Sequence, residues 1–202
     1  MTKQYYETYW EDQDELEDLG YKWPAIKPFF PEGKHTFLDF GCGTGVLTEK
    51  IHAFRPDYKI HGVDISPKAL RASKKRIPKG TFQLIRESQH IPFPDRSFDI
   101  VLAADVLEHI YDTSTAFSEL ARVLTPGGTL LISAPYNGKL KMIVAIIFGF
   151  EFYFDPMSPH IRHFSPKTLR ASIEKTGMKV LQFGYFGRFF PLSRGMFCIA
   201  TK

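Results

Sequence analysis

"LDFGCGTG", residues 38–45, decides the reading of this chain: an apolar run ends in Gly41, Gly43 and Gly45, separated by single residues. Glycine loses the most conformational entropy on folding, and is kept where φ must be positive or where something approaches the main chain closely. The expectation is a turn from a strand into a helix with a ligand lying against bare backbone. Such a turn points N–H groups and the positive end of a helix dipole at the sheet's carboxyl edge, which suits an anionic or nucleotide-like ligand.

Outward from the loop, β-rich apolar runs alternate with segments of helical period. Residues 35–40, 58–64, 81–87, 98–104 and 128–135 read as strands, and Val46 to Phe54, Pro67 to Ile77 and Thr113 to Leu124 as helices. The second helix has Ser66 as its N-cap and Pro67 in its first turn, and the third closes at "LTPGG". Parallel neighbours need a crossover, usually a helix, so this alternation predicts an α/β fold with a doubly wound, mostly parallel sheet. Residues 166–177 read as a further helix stopped by Gly177. Residues 178–186 and 195–202 read as two closing strands with no long helix between them, so they are expected to pair antiparallel and complete seven strands.

The chain has 202 residues, 44% apolar and 24% charged, which fits a soluble globular protein of one main domain. Residues 1–30, with Tyr5, Tyr6, Tyr9, Trp10 and Trp23, read as a helical flap on the sheet's edge; residues 31–202 read as the domain, carrying an apolar lid insertion at 137–159. No secretory signal is visible, so a cytoplasmic location is the default expectation. Cys42 and Cys198 suit free thiols better than a disulfide framework. Residues 1–20 hold seven acids against Lys3, leaving the remainder at +10 beneath a net charge of +4. The densest basic run, residues 67–79, reads as a solvated helix face; no RNA- or DNA-binding motif accompanies it, so no nucleic-acid partner is expected.

Asp64 directly follows the second strand. A carboxylate there accepts bonds from two vicinal ribose hydroxyls; its alternative is to cap the helix that starts at Pro67. Glycine turn and acid at the ends of adjacent strands point together to an adenosine-bearing cofactor. The dinucleotide fingerprint would need glycine at position 46, which is Val46, and this disfavours a nucleotide-dependent oxidoreductase.

"LDFGCGTG", "VDIS" (63–66), "IPFPDRSFDIVLAADVLEHI" (91–110) and "LTPGGTLLISAP" (124–135), in this order, resemble the successive motifs of class I S-adenosylmethionine-dependent methyltransferases. The stretch 160–180 is similar to small-molecule members near the ubiquinone-biosynthesis O-methyltransferases. The resemblance implies a Rossmann-like methyltransferase fold, S-adenosyl-L-methionine as cofactor and a small-molecule acceptor. It also implies that Gly41, Gly43 and Gly45 lie against the methionine and ribose part and that Asp39 orients the amino group. By the same resemblance Asp64 holds the ribose, Ile65 packs on adenine, Glu87 and Ser88 meet the adenine edge, and the Ala103 carbonyl meets the amino group. "RES" at 86–88 departs from the commoner Gly-Asp-Ala type of triplet.

A methyl donor of this kind leaves the protein to align an acceptor and to take a proton from it, a task suited to imidazole near neutral pH. His160 is the first candidate base and His109 the second; a structural or surface role is the alternative for each. Asp105, Glu108 and His109 could also ligate a divalent metal, but adjacent side chains at 108 and 109 diverge on a helix, so no metal is expected. Arg162 suits an acceptor carboxylate or phosphate, or else a rim salt bridge. Residues 140–154 are too short and too interrupted by Lys141 and Glu151 to cross a bilayer. They read as a lid helix, as a wall for a lipophilic or aromatic acceptor, or as a shallow peripheral membrane contact aided by Lys139 and Lys141. The leading expectation is methyl transfer to oxygen; a binding protein that keeps the cofactor fold without catalysis is the rival.

Overall fold

The computed structural model describes residues 18–86, 90–155 and 158–202. Within them helix α1 (Leu19–Ile26) precedes strand β1 (Thr36–Phe40), helix α2 (Val46–Phe54), strand β2 (Lys59–Asp64), helix α3 (Pro67–Arg76) and strand β3 (Thr81–Leu84). Strand β4 (Phe98–Ala104), helix α4 (Thr113–Val123), strand β5 (Leu124–Pro135), helices α5 (Lys139–Phe148), α6 (Phe150–Tyr153) and α7 (Pro166–Glu174), and strands β6 (Lys179–Phe186) and β7 (Gly195–Thr201) follow. The seven strands form one sheet in the order β3-β2-β1-β4-β5-β7-β6. Strands β1 to β5 pair parallel, and β7 lies antiparallel between β5 and β6. The doubly wound sheet with its antiparallel end is the architecture expected from the alternation of apolar runs.

Successive strand residues face opposite sides, and the core follows that period. Leu38, Val101, Ala103, Leu130 and Ile132 pack on one face with Phe117 and Leu120 of α4 and Leu169 of α7. Phe37, Ile100, Leu102 and Leu131 pack on the other, with Ile51 of α2 and with Ile26 and Phe30. The described part of the N-terminal flap packs on this face, with α1 against β6, the strand at the sheet's end. Asp39 alternates with Leu38 and Phe40 and so belongs to the face that carries α1 and α2. Tyr5, Tyr6, Tyr9 and Trp10 lie outside the described residues.

Several boundaries differ from the sequence expectation. Strand β5 starts at Leu124, not Gly128, because Leu124 pairs with Phe98 and a bulge between Phe98 and Ile100 restores the register. Gly127 and Gly128 are held into this extension by Lys202, through Gly127 N–H to the Lys202 carbonyl and Lys202 N–H to the Gly128 carbonyl. Strand β3 ends at Leu84, and α7 ends at Glu174, before Gly177 at φ +83°. Ser66 does cap α3, accepting from Ala69 N–H at 3.2 Å. Cys42 and Cys198 are both free and buried. Insertion 137–159 forms α5 and α6, interrupted at Gly149, and no helix among the described residues is long and apolar enough to cross a membrane.

The glycines of the first turn have the positive φ that their spacing suggested, and packing within the fold adds a further need. Gly41 and Gly45 have φ of +77° and +81°, and a Cβ on them would meet the chain itself: Val106 Cγ2 at 2.4 Å and Ser73 Oγ at 2.8 Å. Close approach is required, but at these two positions by the segment after β4 and by α3. Gly41→Ala is expected to cost about 2–4 kcal/mol, combining a left-handed alanine with an overpacked contact. Urea unfolding checks this, and the double variant with Val106→Ala is expected to recover only the share of the steric cost due to the Val106 methyls, since its Cβ stays 2.8 Å away.

Candidate functional site

The carboxyl ends of β1, β2 and β4 converge on one polar region. Gly43, at φ +53°, donates its N–H to Asp64 Oδ2 at 2.8 Å, and Ser73 Oγ donates to the Gly43 carbonyl at 2.7 Å. Ser66 N–H donates to Asp64 Oδ1 at 2.8 Å. Asp64 is thus both a local cap at the start of α3 and the post that holds the glycine loop. Burial raises its pKa, opposed by the N–H groups of Ser66, Gly43 and Ile65. An ionised carboxylate has about four acceptor positions, so these bonds leave capacity for a ligand hydroxyl. Ile65, next along, is half-buried, and Ala103 is fully buried in β4. Glu87 and Ser88 lie outside the described residues.

Beside this loop lies a buried group of charges. Asp39 Oδ2 accepts from Thr48 Oγ1 at 2.5 Å, and burial pushes its carboxyl up to about 7. Lys22 of α1 is 1% exposed and pairs with Asp105, whose other oxygen accepts from Ser133 Oγ at 3.0 Å. Asp105 holds a left-handed backbone at φ +48°. Burial draws Lys22 down to about 8, against the pull of Glu108, Asp18 and Asp39. Lys22 escaped the sequence reading: a lone lysine in "GYKWP" gives no periodic signal that it will be buried among carboxylates.

The two histidine candidates come together. Glu108 and His109 lie on a single 3-10 turn, Leu107–His109. The N–H groups of Ile161 and Arg162 both donate to the Glu108 carbonyl at 3.0 Å, which fastens the segment after the insertion to that turn. His109 Nδ1 lies 3.0 Å from the Pro159 carbonyl; a carbonyl only accepts, so Nδ1 carries the proton and the basic lone pair sits on Nε2. The rings of His109 and His160 stack with centroids 4.9 Å apart. Burial draws His109 down to about 4 and also lowers His160, so both are neutral near pH 7. Arg162 turns away to the Tyr111 carbonyl at 2.6 Å.

Glu108 is 1% exposed, neither carboxylate oxygen has a hydrogen-bond partner among the described residues, and burial pushes it up to about 7. One ligand atom each from Glu108, His109 and His160 lies within 4.8 Å of the others. The expected divergence of positions 108 and 109 is corrected: the tight turn and the returning His160 gather a set that could hold a metal, without Asp105.

A methyltransferase-domain family model matches residues 38–132. The chain is 31% identical over 168 residues to a demethylmenaquinone methyltransferase of Symbiobacterium thermophilum, covering 79% of this chain and 62% of that protein. It is 31% identical over 136 residues to the O-methyltransferase cnsE of Penicillium expansum, covering 62% of this chain and 49% of that one. The chain thus spans between about half and three-fifths of these curated relatives. An S-adenosylmethionine-dependent methyltransferase from Mesorhizobium loti superposes with a TM-score of 0.71 at 18% identity, covering 90% of this chain and 97% of that one. One from Aquifex aeolicus gives 0.71 at 15% identity, covering 99% and 98%.

The buried charges make stability depend on pH in a defined direction. Asp39 and Glu108 titrate near 7 when folded and at the ordinary values of 3.8 and 4.5 when unfolded. Between those limits the unfolded chain has released protons that the folded chain retains, so stability falls as pH rises through that window. Lys22 acts oppositely between about 8 and 10.5, where the folded chain sheds its proton first and stability recovers. Urea unfolding is expected to show a minimum at neutral to slightly basic pH, and Asp39→Asn to flatten its acid side.

The matched motif region, the glycine–carboxylate junction of β1 with β2 and the superposed sheets agree: over residues 38–132 the chain is similar to the methyltransferase-domain family, and it has the fold seen in S-adenosylmethionine-dependent methyltransferases.

Proposed function

We propose that this protein transfers a methyl group from S-adenosylmethionine to the oxygen of a small lipophilic or aromatic acceptor. One observation carries the reading: the His109–His160 pair is fastened to the end of β4, the strand beside β1, whose following loop is held by Asp64. The residues present fit the cofactor. Asp64 retains acceptor capacity for its ribose, and the buried carboxylates of Asp39, Asp105 and Glu108 favour a cationic group over water. Bound S-adenosylmethionine supplies a methyl group on a positively charged sulfur.

The chain's own part is to orient the acceptor, take its proton and keep water out. His160 is the proton acceptor in this reading, because its lowered pKa leaves the ring neutral and its stacking on His109 fixes the ring plane. His109 positions it, held in one tautomer by the Pro159 carbonyl. Insertion 137–159, which leads directly into His160, supplies the apolar wall against which an aromatic or isoprenoid-like body would lie. The relatives' names, a quinone-precursor methyltransferase and an O-methyltransferase, support the small-molecule class.

A second reading rests on the gathered Glu108, His109 and His160: a divalent cation there would lower the pKa of an acceptor hydroxyl in place of a base.

Calorimetry is expected to give binding of S-adenosylmethionine and none of NAD, with Asp64→Ala weakening the former roughly tenfold or more through lost charged hydrogen bonds. Binding of NAD alone, or an unchanged affinity in Asp64→Ala, would refute the cofactor assignment. With candidate phenolic acceptors, His160→Ala is expected to slow release of S-adenosylhomocysteine by about 10²–10⁴-fold at unchanged cofactor affinity. Full activity in that variant would refute a role for His160, and loss of wild-type activity on chelation with recovery by added metal would favour the second reading.

A further inference from the structure

Helix α5 buries only Ala145. Leu140, Ile143, Val144, Ile146 and Ile147 are exposed around it, and Phe148 at its end is 83% exposed. A helix in water ordinarily turns such residues inward, so an outward apolar face marks a surface meant for a partner. A second element adds to it. The turn between β6 and β7 presents Phe189 and Phe190 at 74% and 61% exposure. That turn adjoins the start of α5: Lys141 Nζ donates to the carbonyls of Tyr136, Ser193 and Arg194, and Phe190 lies 6.1 Å from the ring of Tyr136.

Charge decides between the possible occupants. α5 contains no Asp or Glu, and exposed Lys139, Arg188 and Arg194 border the apolar surface, with half-buried Lys141 among them. Glu151 and Asp155 lie beyond the break at Gly149, and Asp18 is engaged by Arg194 at 3.0 Å. A two-fold contact between two copies through this face would set Lys139 and Arg188 near their own equivalents, a like-charge arrangement. An anionic lipid surface instead meets the cations with headgroup phosphates and the exposed apolar side chains with acyl chains.

We propose that α5 and the Phe189–Phe190 turn form a peripheral docking surface for an anionic lipid bilayer. The inference rests on the reading of a lipophilic acceptor, and gives it a physical route. The insertion that touches the bilayer is followed in sequence by His160, so docking would bring a lipid-dissolved acceptor toward the segment that carries the histidine pair. Ten helical residues span about 15 Å, enough to lie along the interface and too few to cross it.

The test is co-sedimentation of the full chain, without cofactor or acceptor, with vesicles of phosphatidylcholine alone or mixed with phosphatidylglycerol. The expected result is partition onto the mixed vesicles roughly tenfold stronger than onto phosphatidylcholine, weakened by salt. Ile147→Asp with Phe148→Asp, and separately Phe189→Asp, are expected to abolish it; all three side chains are exposed, so the fold is expected to persist by circular dichroism. Equal sedimentation of wild type and variants, or none by either, would overturn the proposal. So would a wild-type dimer in sedimentation equilibrium that these substitutions dissolve, or apolar side chains shielded from vesicles by residues 1–17 until those are removed. Calorimetry with S-adenosylmethionine in vesicle-free buffer separates the two readings, since cofactor binding can fail while partition survives and the reverse.

Discussion

A carboxylate left 7% exposed must be answered by donors, and Asp64 is answered by main-chain N–H groups from two places in the chain. Ser66 lies two residues on and Gly43 lies across the β1–β2 pair, so one side chain fixes the entry to α3 and the shape of the glycine loop together. That loop is pressed from the other side by Val106, where Gly41 admits the segment after β4. Loop, second strand end and fourth strand end are therefore one mechanical unit. A ligand held by the loop is held at a set distance from whatever the fourth strand presents.

What the fourth strand presents is a concentration of buried charge. Asp105 and Glu108 follow it, Asp39 lies at the end of β1, and Lys22 answers them from α1. One lysine does not balance three acids. The surplus is relieved by the shifts that burial imposes, with Asp39 and Glu108 both raised to about 7. Such a site is poorly satisfied by the protein alone, and both oxygens of Glu108 lack a partner among the described residues. The same imbalance that lowers stability near neutral pH makes the region attractive to a cation, whether a sulfonium or a metal. Stability and function draw on one arrangement here.

Features governed by local periodicity were legible before any coordinates. Alternating apolar runs gave the parallel sheet, the absence of a crossover gave the antiparallel β6–β7 pair, and Ser66 before Pro67 gave the start of α3. Features governed by tertiary closure were not. The extension of β5 back to Leu124 depends on Lys202, far along the chain. The meeting of His109 with His160 depends on two N–H groups returning to the Glu108 carbonyl, which no spacing encodes. The glycines were legible in their positive φ, whereas the packing of Val106 on Gly41 and of Ser73 on Gly45 was not. A sequence reports that room is needed; only packing reports what fills it.

The insertion after β5 is the hardest case, because composition alone leaves a buried lid, an acceptor wall and an interfacial helix equally consistent with fifteen mostly apolar residues. The structure narrows the choice through what is missing beneath the helix. A lid that packed on the domain would bury a stripe of about three residues per two turns, whereas α5 buries Ala145 alone. Gly149 then ends the helix before it could turn a second face inward; α6 follows, and further along the chain Pro159 meets the histidine turn. An element anchored to the site at one end and apolar toward solvent along its length has its remaining stabilisation to gain from outside the chain. The cations around it set the sign of the surface that would supply it.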